Sequence, residues 1–396
     1  MLKQLPPFPI LVDYRAVPPT WTERVEDLAL AALRPRSRVR GIALRRPYKD
    51  MVKLFRALSR PFPELESVDI SPHVDRECLI LPANFLSGSL PRLRRLTLRG
   101  ILPGCLSPLL SFTTGLVELK LNLNTVLSTI PLPTYSLLPD LQRMSCLRRL
   151  DLDYVFTGSF FNPQVDPPPA PTMAEVVVPL PKLTHLIFRG HRLHLEALVV
   201  GLVAPSLQHL DAELSGRDDA FPILHLCRFI RNSECQFTMI RLEFSDPKLN
   251  FYAGTSSASF DDQPFRIIIP EPVSLEQIGQ ELSASFSNVE ELIIALDDSC
   301  HGGLLPTKGE QLRGFFYHIP RVKMMQVPAR ETQIIARSFQ QDGQEPNVDL
   351  LPALEQIKVD MRRLRQDTWR VRSHDAFEPL IAARNQVERP IVLSWI

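Results

Sequence analysis

Leucines return along this chain in a fixed phase, Leu-x-x-Leu-x-Leu, with polar residues between them. The copies are Leu93, Leu96, Leu98; Leu116, Leu119, Leu121; Leu147, Leu150, Leu152; Leu183, Leu186, Phe188; and Leu207, Leu210, Ala212, with a looser copy at Leu354, Ile357, Val359. The intervals are mostly about 23 to 36 residues, the range of stacked repeat proteins. A Pro- or Ser-rich approach precedes each copy, as in Phe62-Pro63-Glu64-Leu65, Leu90-Pro91-Arg92-Leu93, Leu180-Pro181-Lys182-Leu183 and Leu351-Pro352-Ala353-Leu354. The alternation that follows, such as Leu119-Lys120-Leu121-Asn122-Leu123, predicts a short strand with one buried face. Helical spacing comes next in two clear cases. Met51, Leu54, Phe55 and Leu58 share one stripe, as do Leu195, Leu198, Val199 and Leu202.

Strand then helix, repeated, predicts an α/β fold: an irregular leucine-rich-repeat-like solenoid. Parallel strands would line its concave face, with helices and loops on the convex face. One unit cannot cover its own apolar side, so its neighbours must. Further strands are expected around Val39, Ile42, Leu44; Leu65, Val68, Ile70; Met239, Leu242, Phe244; Val289, Leu292, Ile294; and Val322, Met325, Val327. A last strand, Pro390 to Trp395, follows the helix-like Asp375 to Asn385. Residues 1–38 read as a helical N-terminal cap, with Trp21, Val25, Leu28 and Ala32 at helical spacing. The solenoid then runs over 39–396, with insertions at 158–174 and 246–275. The first insertion contains the Pro-rich FFNPQVDPPPAPTM, which predicts an extended loop. The second carries Phe265-Arg266-Ile267-Ile268-Ile269, expected as an extra strand pairing near Leu242.

Charge is balanced, 45 basic against 44 acidic residues, so no global field points to nucleic acid or anionic lipid. The basic run Arg34 to Arg46 lacks interleaved aromatics and reads as a solvated edge of the first repeat. Pro is high at 37 and Gly low at 16, but hydrophobicity is ordinary at 44%, so the prolines read as punctuation of an ordered array. The six cysteines show no C-x-x-C and read as reduced, buried structural thiols. The start, MLKQLPPFPILVDY, lacks a secretory pattern, and no apolar run is long enough for a bilayer. These features predict an intracellular protein of cytoplasm or nucleus, with protein partners and neither nucleic acid nor membrane.

Catalytic motifs are missing: there is no G-x-S-x-G, G-x-G-x-x-G or Walker loop. No catalytic residue, cofactor or metal is therefore expected. His185, His191, His194 and His209 cluster in sequence but read as an accidental surface group rather than a zinc site. Asp218-Asp219, Asp261-Asp262 and Asp297-Asp298 read as loop turns.

Positions between the strand leucines point to the opposite face. One column runs Arg95, Glu118, Arg149, His185, His209, Arg241, Glu291; a second holds Thr97, Lys120, Asp151, Ile187, Asp211, Glu243, Ile293. The third is Arg99, Asn122, Asp153, Arg189, Glu213, Ser245, Ala295. Their alternating signs fit a self-compensating ladder of exposed pairs, each worth about 0.2–1 kcal/mol. They also fit a polar recognition surface. The candidate binding face is Arg95, Arg99, Glu118, Lys120, Arg149, Asp151, Asp153, His185, Arg189, His209, Asp211, Glu213 and Arg241.

The runs Phe62 to Glu66, Leu81 to Leu93, Gly115 to Leu119 and Leu180 to Thr184 resemble F-box/leucine-rich-repeat-like proteins of basidiomycete fungi. His194 to Val199 with Ala204 to Leu207, and the ending from Ala382 to Trp395, resemble the same family. The resemblance covers nearly the whole chain. It implies a substrate-recognition subunit of a cullin–RING ubiquitin ligase. Members with an F-box carry it ahead of the repeats, where it docks on the ligase adaptor. Here Leu5-Pro6-Pro7-Phe8-Pro9 does not match its opening segment, and its prolines forbid a helix. The F-box is therefore expected to be missing, from a repeat-only relative or a late-starting gene model, and adaptor binding is in doubt. The alternatives are a ligase-independent sensor or regulatory repeat protein and, more remotely, an enzyme with its site in the insertion loops.

Overall fold

The fold is built from one repeated turn. Among the described residues, nine times, the amide of the first apolar residue donates to the carbonyl three residues back, at 2.9 to 3.3 Å. Phe62 to Leu65, Leu90 to Leu93, Leu180 to Leu183 and Leu351 to Leu354 are examples. Pro occupies the second place in six of the nine (63, 91, 181, 205, 320 and 352), where its fixed φ suits a type I turn. Successive turns are also tied together: Arg94 N–H donates to Glu66, Val117 to Arg94 and Arg148 to Val117, each at 2.8 Å.

This computed structural model describes residues 8–15, 23–72, 81–82, 84–86, 90–100, 109–122, 134–154, 177–215, 223–233, 235–245, 248–255, 264–270, 274–296, 306–340, 346–361 and 368–396. The expected insertion at 158–174 lies outside this set, as do the three Asp pairs and Cys78, Cys105 and Cys300, while that at 246–275 is described over 248–255, 264–270 and 274–275. The chain divides into two units, Met1–Leu207 and Gln208–Ile396.

The first unit contains β1 (Ile10–Tyr14), α1 (Glu23–Leu33), β2 (Val39–Arg46), α2 (Tyr48–Ala57), β3 (Ser67–Pro72), β4 (Arg95–Arg99), β5 (Glu118–Asn122), α3 (Thr134–Leu141) and β6 (Arg149–Asp153). It continues with β7 (Val178–Pro179), β8 (His185–His191), α4 (Arg192–Gly201) and β9 (Leu202–Val203). Its main sheet has the order β1-β2-β3-β4-β5-β6-β8, parallel throughout. A small parallel pair joins β7 to β9. Helix α1 falls within the expected span, but it buries Glu26, Ala29 and Leu33 rather than the expected stripe, leaving Leu28 exposed and Trp21 outside the described residues, and the segment before residue 38 also supplies β1. The expectation of a purely helical cap is thereby corrected, because Ile10–Tyr14 pairs with β2.

The second unit contains β10 (His209–Ser215), α5 (Leu224–Arg231), β11 (Met239–Ser245), β12 (Lys248–Gly254), β13 (Phe265–Pro270), α6 (Leu275–Leu282) and β14 (Glu291–Leu296). It ends with α7 (Pro306–Phe316), β15 (Met324–Pro328), α8 (Thr332–Arg337), β16 (Gln356–Asp360), α9 (Thr368–Gln386) and β17 (Val392–Trp395). Its order is β10-β13-β12-β11-β14-β15-β16-β17. Two of its pairings, β11–β12 and β12–β13, are antiparallel. Strand β13 therefore does not pair with β11 near Leu242, as expected from sequence. It lies between β10 and β12, and β12 separates it from β11. The alternation in Lys248-Leu249-Asn250-Phe251-Tyr252-Ala253 was the available signal for β12.

The strand leucines are fully buried: Leu96, Leu98, Leu119, Leu150, Leu152 and Leu186 are all at 0% exposure. Each such side chain contributes about 2 kcal/mol of transfer free energy. In the second unit aromatic rings fill the core: Phe237 meets Phe265 edge-on at 4.9 Å, and Phe286 meets Phe315 at 5.9 Å. Helices α6 and α7 approach closely through reciprocal glycines. A Cβ on Gly279 would lie 2.8 Å from the His318 ring, and one on Gly314 would lie 2.7 Å from Glu276 Cβ. Helix α6 starts at Ser274, whose hydroxyl accepts the Gln277 N–H at 3.2 Å.

The cysteine expectation is corrected in part. Cys227 is buried, but Cys146 and Cys235 are only partly so; all three are free thiols. The basic run is not simply solvated either. Arg46 is buried, Arg36 lies 6.0 Å from the Phe62 ring centre, and Arg38 donates to the Phe8 carbonyl at 3.0 and 3.2 Å. Among the described residues, no helix is long and apolar enough to cross a membrane.

Candidate protein-binding face

Strands β4, β5, β6 and most of β8 alternate buried and accessible positions, so the residues between their buried apolar positions share one face. Parallel register places them in rows. Arg95 pairs with Glu118, Glu118 with Arg149, and Arg149 with His185. The second row is Thr97, Lys120, Asp151 and Ile187; the third is Arg99, Asn122, Asp153 and Arg189. Neighbouring strands lie about 4.8 Å apart, so charged heads along a row interact directly.

Glu118 receives two cations, Lys120 Nζ at 2.9 Å and Arg149 Nε at 3.7 Å. Asn122 donates its amide to Asp153 at 2.7 Å. Partial burial raises the Asp151 carboxyl above its usual range, against the opposing pull of Arg189, Arg149, Lys120 and Arg99. Arg95 and Arg99 stand exposed at either end of β4. On the neighbouring β3, Asp69 receives Arg15 at 3.6 Å. Thr184 Oγ1 lies 2.9 Å from His185 Nδ1.

In the second unit the expected columns do not continue. The antiparallel hairpin sends Asp211 to Arg266 rather than to Glu243, and Arg241 faces Tyr252 and Ile293 rather than Glu291. Glu291 instead pairs with Met239 and Met324. A different network results. Arg266 reaches Asp211 at 3.7 Å, Lys248 reaches Glu213 at 3.7 Å, and Arg241 reaches Glu243 at 2.9 Å. The Tyr252 hydroxyl donates to Glu243 at 3.3 Å, and burial with the Glu243 charge raises its pKa. Arg266, Tyr252 and Lys248 were missed because their strand or its pairing was missed. His209 is exposed at the start of β10. Burial also raises the Glu291 carboxyl, with Lys358 opposing it.

The histidine expectation is corrected for His191 and His194. His191 is buried and caps α4, its Nδ1 accepting the Leu193 N–H at 3.3 Å. His194 stacks on the buried Tyr154 with ring centres 5.8 Å apart and meets His191 edge-on at 6.1 Å. Burial, with His191 as a second cause, lowers His194 to about 4. Among the described residues, His374, Asp375 and Glu378 on α9 bring ligand atoms within 4.8 Å of one another, all exposed to water.

Compared with protein-family models and with curated proteins, the chain matches none.

Proposed function

We propose that this chain is a non-enzymatic protein-interaction scaffold, an irregular leucine-rich-repeat-like solenoid whose polar sheet face grips a partner protein. One observation carries the reading: three rows of side chains, polar or charged at every place but Ile187, stand in register on β4, β5, β6 and β8. Buried leucines behind them hold those positions, and rigid placement lowers the ordering cost of binding. The resemblance to F-box/leucine-rich-repeat-like proteins supports a substrate-recognition role beside a cullin–RING ubiquitin ligase, or the role of a relative acting without an F-box. Co-purification with the ligase adaptor separates these two.

The test is affinity capture of the full chain from its native cell, compared with Arg149→Glu/Arg189→Glu. The reversal is expected to lower partner recovery by about tenfold while the thermal melt stays in place. An unchanged partner set would contradict the reading.

A further inference from the structure

The two units treat charge differently on their polar faces. On β10 to β13 the cations Arg241, Lys248 and Arg266 each have a carboxylate partner, Glu243, Glu213 and Asp211. That patch neutralises itself. On β4, β5, β6 and β8 five cations, Arg95, Arg99, Lys120, Arg149 and Arg189, face three carboxylates, Glu118, Asp151 and Asp153. Lys120 and Arg149 share the single carboxylate of Glu118. Arg95 and Arg99 are exposed, and among the described residues neither forms a salt bridge. A surplus of guanidinium groups on a rigid sheet attracts anionic groups and takes carboxylates in a forked geometry.

We infer that this face of the first unit docks an acidic segment of a partner protein, whose Glu and Asp side chains pair with Arg95, Arg99, Arg149 and Arg189. The inference rests on the protein-binding reading above and adds the chemistry of the partner. Arg95 and Arg149 lie two strands apart in one row, roughly 10 Å, while Arg95 and Arg99 lie four residues apart along β4, roughly 13 Å. Alternate residues of an extended segment recur about every 7 Å, so acidic residues four apart match the longer distance, and those two apart fall about 3 Å short of the other, a gap within reach of the flexible Arg and Glu side chains. A nucleic acid fits less well. Its continuous phosphates would meet Glu118, Asp151 and Asp153 between the cations, and the three rows offer no Phe, Tyr or Trp for base stacking. A protein segment can instead place donors opposite those carboxylates.

The test is fluorescence anisotropy with the full chain at low and physiological salt. The probe is a labelled peptide of alternating Glu and Ser, about eight residues long, enough at ~3.3 Å per residue to cross four strands. A Gln/Ser peptide and an oligothymidylate of equal charge are the comparisons. The Glu peptide is expected to bind, to weaken with salt, and to lose about tenfold in affinity on Arg95→Glu/Arg99→Glu. The same reversal at the exposed Arg321 in the second unit is expected to change nothing. Arg95→Gln/Arg99→Gln removes charge alone and is expected to weaken binding to a smaller degree, with the melt unchanged for both variants. Equal binding of the Gln peptide, tighter binding of the oligothymidylate, or equal loss on Arg321→Glu would overturn the inference. If the Glu peptide fails while partner capture stays sensitive to Arg149→Glu/Arg189→Glu, the acidic partner is wrong and the binding face stands. Failure of both removes the binding face as well.

Discussion

His194 is held uncharged by the fold. Its imidazole is packed on Tyr154 and beside His191, and burial lowers it from an ordinary value near 6.5 to about 4. Between those two values the unfolded chain holds a proton that the folded chain does not, so stability is complete above about pH 6.5 and falls as pH drops toward 4. The loss is on the order of 3 kcal/mol. Urea unfolding from pH 7.5 down to 4.5 should therefore show a stability slope that His194→Phe flattens. An equal slope in both proteins would mean that the imidazole titrates normally. None of this was readable in the sequence. The spacing His191-x-x-His194 suggests a surface group, and burial depends on Tyr154, a residue brought in from the end of β6 rather than from a neighbouring position.

At the scale of elements, the turns and the strands that follow them were legible because their signals are local. A turn-favouring proline, then apolar residues two, five and seven places on, describes Leu90 to Leu98 without reference to anything distant. The tie between α9 and the last repeat turn was not legible. Arg384 is fully buried, and its guanidinium donates to the carbonyls of Leu350 at 2.7 Å, Leu351 at 2.8 Å and Pro352 at 3.3 Å. Leu351 has φ of 52°, a conformation that costs energy for a residue with a side chain. The arginine thus satisfies three acceptors of a strained turn from a helix that follows it in the chain. Arg384→Met keeps the apolar stem and leaves those carbonyls without their donor. It should destabilise the chain by about 3 kcal/mol in chemical denaturation. A loss below about 0.5 kcal/mol, the level of an ordinary surface change, would refute the tie.

Across the molecule, sequence neighbours are sheet neighbours wherever the strands run parallel in chain order. For that reason the rows through β4, β5 and β6 could be drawn from the repeat spacing alone. The same drawing fails after β10, where β12 runs against both β11 and β13 and strand order departs from chain order. A single hairpin changes which charges meet. Asp211 gains Arg266, Glu243 gains Tyr252, and the second unit ends with a patch that balances itself while the first retains exposed arginines. The most direct test of the binding role is an arginine footprint of the full chain, labelled with phenylglyoxal alone and in complex with its captured partner. The account predicts that Arg95 and Arg99 become strongly protected while Arg321 and Arg330 keep their reactivity. Unchanged labelling of Arg95 and Arg99, with shielding elsewhere, would contradict it.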